Sequence, residues 1–287
     1  MSDATYWGTT IFFTACYFSA GLAVIPTFWF IVNGHSAAAS LGIWVTLASM
    51  VHAINSTVWR KDVINRSPNW CDISSQIILI YSTGSMCSCV CIAKFLAFAF
   101  SPSARNIGYE DRRRINIRNY VFSLGFPASM IPFHYLYSPT RFGLVRTMGC
   151  EASYVLTWPT FFFFIIWAPI FGMVATGYTA YVGFKLYKWK RQKGSGKKST
   201  KLPTLRLAWL CITYTTVAVP LSVYYLIETI LNGSYSSFYL REIRIEYEPY
   251  KLKPTFYDTL PLMGSGIYII FFTFSTELRT VYIQFFR

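Results

Sequence analysis

The sequence predicts an all-α integral membrane protein: one bundle of seven transmembrane helices, its N-terminus outside and its C-terminus cytoplasmic. Three observations carry that prediction. Of 287 residues, 54% are hydrophobic and only 13% charged, against roughly 25% charged in an ordinary soluble domain. Long stretches hold no Asp, Glu, Lys or Arg, and ~20 mostly apolar residues suffice to span a bilayer. The basic residues between those stretches fall mainly in alternate loops, which sets an orientation.

Nothing charged lies between Asp3 and Arg60. That run is too long for one span, and Asn33-Gly34-His35-Ser36 interrupts it with turn residues, giving helices at 5–32 and 37–59. Further charge-free runs lie between Asp72 and Lys94, Arg118 and Arg141, Glu151 and Lys185, Arg206 and Glu228, and Asp258 and Glu277. They place helices at 71–98, 118–138, 157–187, 206–230 and 257–279. The first stretch lacks a basic leader and an Ala-x-Ala cleavage pattern, so it reads as a retained span. Pro26, Pro127, Pro132, Pro169, Pro220 and Pro261 fall within spans and mark kinks, because neighbouring helices can satisfy the carbonyls that proline frees.

With the N-terminus outside, residues 101–118 carry five basic side chains, residues 185–206 nine and the C-terminus two, while the outer loops together carry nine. Lys and Arg are retained on the cytoplasmic side, so this asymmetry favours that orientation. The net charge of +14 therefore belongs to a face meeting anionic lipid and cytosolic partners, and no nucleic-acid partner is implied. Arg112, Arg113 and Arg114 in the first basic segment, and Lys185, Lys188, Arg191 and Arg206 in the second, are the candidate docking residues. Topological retention alone would also account for most of this charge.

Five of seven cysteines, Cys16, Cys87, Cys89, Cys91 and Cys211, lie within spans, where a thiol behaves as a small apolar group. Cys71 opens the third helix at its outer end and Cys150 sits in the second outer loop. Both face the oxidising side, so a disulfide is the natural reading, with two free thiols the alternative. The bond would pin residues 139–156 over the bundle mouth. Asn65-Arg66-Ser67 and Asn232-Gly233-Ser234 match the glycosylation sequon on outer loops.

Chemistry is scarce. The three histidines His35, His52 and His134 are scattered, and no nucleophile with its base, paired metal ligands or intramembrane carboxylates stand in the spans, so no enzyme, cofactor or metal is expected. Pumps and transporters place ionisable groups near the bilayer centre, and these span interiors hold none. A small-solute transporter or channel with the same helix count is the competing class. The seventh helix contains no lysine, which excludes a retinal Schiff base. Binding and conformational change remain.

Several blocks carry a resemblance. Ile54-Asn55-Ser56-Thr57-Val58-Trp59 closes the second helix and Trp70-Cys71-Asp72-Ile73 opens the third. Arg141-Phe142-Gly143-Leu144-Val145-Arg146-Thr147-Met148-Gly149-Cys150 follows in the second outer loop, then Trp158-Pro159, then Leu205-Arg206-Leu207-Ala208 leading to Val219-Pro220-Leu221-Ser222-Val223-Tyr224. In this order and over nearly the whole chain, the sequence resembles the fungal mating-pheromone receptors of the a-factor type, class D G-protein-coupled receptors. It departs from them in stopping at Arg287, soon after the seventh helix, where the family usually has a long cytoplasmic tail.

The resemblance implies a prenylated, methyl-esterified peptide pheromone outside, a heterotrimeric G protein inside, and a multi-pass protein of the plasma membrane. Such a ligand is mostly lipid and calls for aromatic walls, for which Trp158, Phe161, Phe162, Tyr224, Tyr225 and Tyr257 are candidates. Its free amine calls for an acid, Asp72 or Glu228, and Arg141 and Arg146 are further candidates for ligand contact. Interfacial packing is the plainer role for any single aromatic. Pro220 would hinge the sixth helix. Gly172-Met173-Val174-Ala175-Thr176 offers a small-residue face on which a homodimer could form.

Overall fold

The computed structural model describes residues 3–60, 62–99, 108–138, 141–145, 149–153, 158–192, 202–232 and 266–269. Among them α1 (Asp3–Val32), α2 (Ser36–Val58) and α3 (Pro68–Ala99) are long rods. A composite fourth rod follows: α4 (Tyr109–Tyr120), a π-helical segment Val121–Gly125, α5 (Phe126–Ala128) and α6 (Ile131–Tyr137). A two-stranded hairpin, β1 (Gly143–Val145) and β2 (Gly149–Glu151), precedes α7 (Trp158–Thr160), a second π-helical segment Phe161–Ile165, and α8 (Trp167–Gln192). The rod α9 (Leu202–Asn232) precedes a helical turn at 266–269; the rest of the expected seventh span, 257–279, lies outside the described residues.

Among the described residues, four helices are long and apolar enough to cross a membrane: Thr14–Val32, Ser36–Val58, Pro68–Phe98 and Trp158–Lys185. A shorter apolar stretch, Trp209–Tyr224, lies within α9. The chain is thus a multi-pass membrane protein. The central rods are α2 and α3, buried along most of their length, whereas α1 and α8 sit at the periphery. Composition explains the centre. Lipid tails remove the hydrophobic drive between helices, so close backbone approach must supply the packing, and small residues allow it. Ala37, Ala38, Ala39 and Ser40 on α2 and Ser85, Cys87, Ser88 and Cys89 on α3 are all buried.

The sharpest such contact is at Gly84, where a Cβ would overlap the indole of Trp44. That indole fills the gap between α2, α3 and the fourth rod and donates from Nε1 to the Ser123 carbonyl at 2.9 Å. Position 127, four residues on, is proline and has no N–H to return to Ser123. The π segment widens the same turn, with the Phe126 N–H reaching back to the Val121 carbonyl. A buried carbonyl that the helix cannot satisfy therefore finds its donor on α2, as a membrane interior requires. By contrast, α1 and α9 run unbroken through Pro26 and Pro220. Gly172 is spent inside the bundle: a Cβ there would meet Val219 of α9 at 2.8 Å.

Candidate functional site

Two ends of the bundle are chemically distinct, and the hairpin marks the first. Its strands pair antiparallel with Leu144 opposite Cys150, and Cys150 is bonded to Cys71 at the start of α3, Cα atoms 5.1 Å apart. Around the bond, Trp59, Phe142 and Leu144 form a buried cluster flanked by Val58, Val63 and Trp70. Gly149 is required here. Its φ is +82°, and a Cβ would meet the Asn55 Cβ at 2.5 Å and the Trp59 Cε3 at 3.0 Å, so both conformation and space exclude a side chain. Asn55 accepts the Trp70 Nε1 hydrogen at 2.8 Å, and Trp59 donates to the Ile64 carbonyl at 3.0 Å.

Beneath the hairpin runs a polar chain that sequence reasoning missed. The Ser153 carbonyl lies 3.1 Å from His134 Nε2 and accepts from the Ser138 hydroxyl at 2.6 Å. A carbonyl only accepts, so His134 carries its proton on Nε2. Its Nδ1 then presents a lone pair, which takes a hydrogen from Gln76 Nε2 at 2.9 Å. The amide is thereby fixed with Oε1 turned away, buried and without a partner. One helical turn earlier on the same face of α3, Asp72 gives Oδ2 to Arg141 at 3.2 Å and keeps Oδ1 buried and unpartnered. Two unpartnered acceptors thus stand under the lid on side chains one turn apart, where Cβ atoms are about 6 Å from each other. The i, i+4 spacing of Asp72 and Gln76 was the signal available in the sequence.

The other expected ligand residues are distributed as follows. Arg141 is half exposed. Phe161 is buried, and Trp158 and Phe162 are exposed, stacked on each other with centroids 6.2 Å apart. Tyr224 is exposed on α9. Tyr225 and Glu228 stand on α9 with side chains outside the described set, and Arg146 and Tyr257 lie outside the described residues altogether. The structure brings Asp72, Arg141, Cys71 and Cys150 together.

The opposite end is basic. α4 buries none of its side chains and exposes Arg112, Arg113 and Arg114. Glu110 and Asp111 occupy its first turn, where negative charge complements the helix dipole. The fourth rod is tied to the α1–α2 turn by Ser36, which donates to Asn116 at 2.8 Å and accepts from Asn119 at 3.0 Å. In that turn Gly34 has φ +69° and His35 stacks on Trp29 at 6.0 Å. Desolvation, with Arg112 nearby, holds the His35 imidazole below its ordinary value. Lys185 and Lys188 lie near the end of α8; the side chains of Arg191 and Arg206, on α8 and α9, lie outside the described set. Pro220 faces outward on α9.

Comparison with known proteins gives one consistent answer. The family model described as "Pheromone A receptor" matches residues 11–287. Among curated proteins, the chain is similar to the pheromone B alpha 3 receptor of Schizophyllum commune, 27% identical over 79% of this chain and 36% of that protein. It is similar to the pheromone a factor receptor of Saccharomyces cerevisiae, 22% identical over 95% of this chain and 60% of that protein. Pheromone receptor 1 of Mycosarcoma maydis is 26% identical over 48% of this chain and 38% of its own length. The chain thus matches between about a third and three fifths of the length of these relatives.

Proposed function

The chain belongs to the pheromone A receptor family, and from that premise we propose that it is a seven-helix G-protein-coupled receptor of the plasma membrane. The hairpin end faces outside and takes a prenylated peptide pheromone; the arginine end faces the cytosol and promotes nucleotide exchange on a heterotrimeric G protein. One observation carries this reading: a disulfide-pinned lid and an exposed arginine helix occupy opposite ends of one bundle. Disulfides form on the oxidising side and arginines are retained on the other, so both independently select the same orientation.

The two buried acceptors give the outer end a task. A methyl-esterified peptide keeps its ammonium and loses its carboxylate, so it brings hydrogen-bond donors and positive charge. Asp72 Oδ1 and Gln76 Oε1 receive that group, and Arg141 acts as the resident counterion that the ligand displaces. Aromatic side chains including Phe161 and Tyr224 receive the isoprenoid. Inside, Arg112, Arg113 and Arg114 together with Arg191 and Arg206 form the rim that docks the G protein once α9 swings about Pro220.

Purified receptor in proteoliposomes tests this. Pheromone-dependent nucleotide exchange on added G protein supports it. Solute flux without G protein, and no exchange, would instead establish the transporter class.

A further inference from the structure

The last turns of α8 have a sided arrangement. Gly172, Ala175, Thr179 and Val182 are buried on the face that packs against α3 and α9. At about 100° per residue, Tyr181, Phe184 and Lys188 point to the opposite side, and all three are exposed. Lys185 lies alongside, its Nζ 4.7 Å from the centroid of the Tyr181 ring. That is a cation–π contact, in which the ammonium itself sits against the ring one turn nearer the hydrocarbon and the side chain lies back along the helix. Among the described residues, neither Lys185 nor Lys188 has an acidic partner within ion-pair distance.

Height along the helix identifies what meets these ammonium groups. Taking Trp158 as the outer interfacial anchor, ~30 Å of hydrocarbon at 1.5 Å per residue ends near Tyr178. Lys185 and Lys188 are then rooted ~10 and ~15 Å past that boundary, a little beyond a headgroup layer ~5–8 Å deep, to which a lysine side chain can reach back. Tyr178 and Tyr181 fall between them and the hydrocarbon, where aromatic belts sit. Among the described residues, Lys188 points away from α3 and α9. The basic pair therefore stands on the headgroup side of the boundary, within side-chain reach of phosphate and carboxylate groups.

We propose that the outward face of α8, with Lys185, Lys188 and the Tyr181 ring, is a binding site for an anionic phospholipid headgroup of the inner leaflet, phosphatidylserine being the probe. This rests on the orientation given above and not on the identity of the ligand or the G protein. Each lysine near such a surface contributes about a fivefold gain in affinity.

The test is native mass spectrometry of the intact receptor released from nanodiscs of phosphatidylcholine and phosphatidylserine at 4:1. The wild type is expected to retain phosphatidylserine in preference to phosphatidylcholine. Lys185→Gln with Lys188→Gln should lower that retention at least about fivefold. Lys185→Arg with Lys188→Arg, which keeps the charge and the topology signal, should restore it. Equal retention by the Gln variant and the wild type would overturn the proposal. So would an equal loss on neutralising Arg112, Arg113 and Arg114, because retention would then reflect the whole basic face. Lipid retention is read without pheromone or G protein, so its failure is separate from any failure of the receptor reading.

Discussion

Gly149→Ala is a small change placed where the lid has no room for it. The backbone sits at φ +82°, a region that costs a residue with a Cβ about 1–2 kcal/mol. The added methyl would also lie 2.5 Å from the Asn55 Cβ, 2.8 Å from its Cγ and 3.0 Å from the Trp59 Cε3. Neither neighbour yields easily. Trp59 is fully buried and bonded to the Ile64 carbonyl, and Asn55 holds Trp70. Overpacking of this kind costs about 1–3 kcal/mol more, so the variant should lose roughly 2–5 kcal/mol at the hairpin. Breaking the disulfide outright, which closes a 79-residue separation, removes up to ~4.5 kcal/mol by loop entropy. The two changes should therefore be comparable and, because they act on one lid, less than additive. Thermal unfolding in detergent and the reductant concentration that halves ligand binding both report it. A Gly149→Ala receptor with wild-type melting temperature and wild-type resistance to reductant would refute the reasoning.

Other outcomes follow from the same geometry. Asp72→Asn should weaken pheromone binding about tenfold, from loss of a charge-assisted contact of ~1.5 kcal/mol. Arg141→Gln should leave stability within about 1 kcal/mol, because that pair is half exposed on the arginine side; saturation binding and thermal shift on the two variants read this. Gly84→Ala should cost about 1–3 kcal/mol by displacing the Trp44 indole from the Ser123 carbonyl, seen as a lower melting temperature that Trp44→Phe partly restores. His35 is held below its ordinary value in the folded protein, so the unfolded chain binds the proton more readily. Stability should then fall as pH drops below about 6.5, levelling off beneath the folded value. The residue remains solvent-accessible, which keeps the effect small, and His35→Gln should flatten that part of a pH-dependent unfolding curve.

What the sequence made legible was what depends on charge. Gaps between Asp, Glu, Lys and Arg mark membrane stretches because ions cannot stay in hydrocarbon, and Cys71 and Cys150 were separable from their five neighbours by compartment alone. Local geometry was less readable. The spacing places the fourth span at 118–138, whereas the fourth rod begins at Tyr109 and passes through a π segment at Val121–Gly125, because arginines can extend a helix beyond the membrane. Neither Val121–Gly125 nor Phe161–Ile165 contains a proline or any other composition cue for a π turn. Pro127 did imply an unsatisfied carbonyl four residues earlier; that Trp44 would satisfy it depends on how α2 packs. The pairing of Gln76 with His134 is likewise a tertiary fact. Asp72, chosen as an acid near the outer mouth, proved to be already paired with Arg141, which makes its second oxygen the informative one.

The central claim is that this receptor reads the lipid on its ligand, and the direct measurement is nucleotide exchange driven by the cognate peptide with and without its isoprenoid. Even five buried carbons at ~0.8 kcal/mol each amount to ~4 kcal/mol, about a thousandfold in affinity. The account predicts that the unprenylated peptide, tested on reconstituted receptor with G protein, needs at least about a thousandfold higher concentration for half-maximal exchange. Equal potency of the two peptides would contradict it.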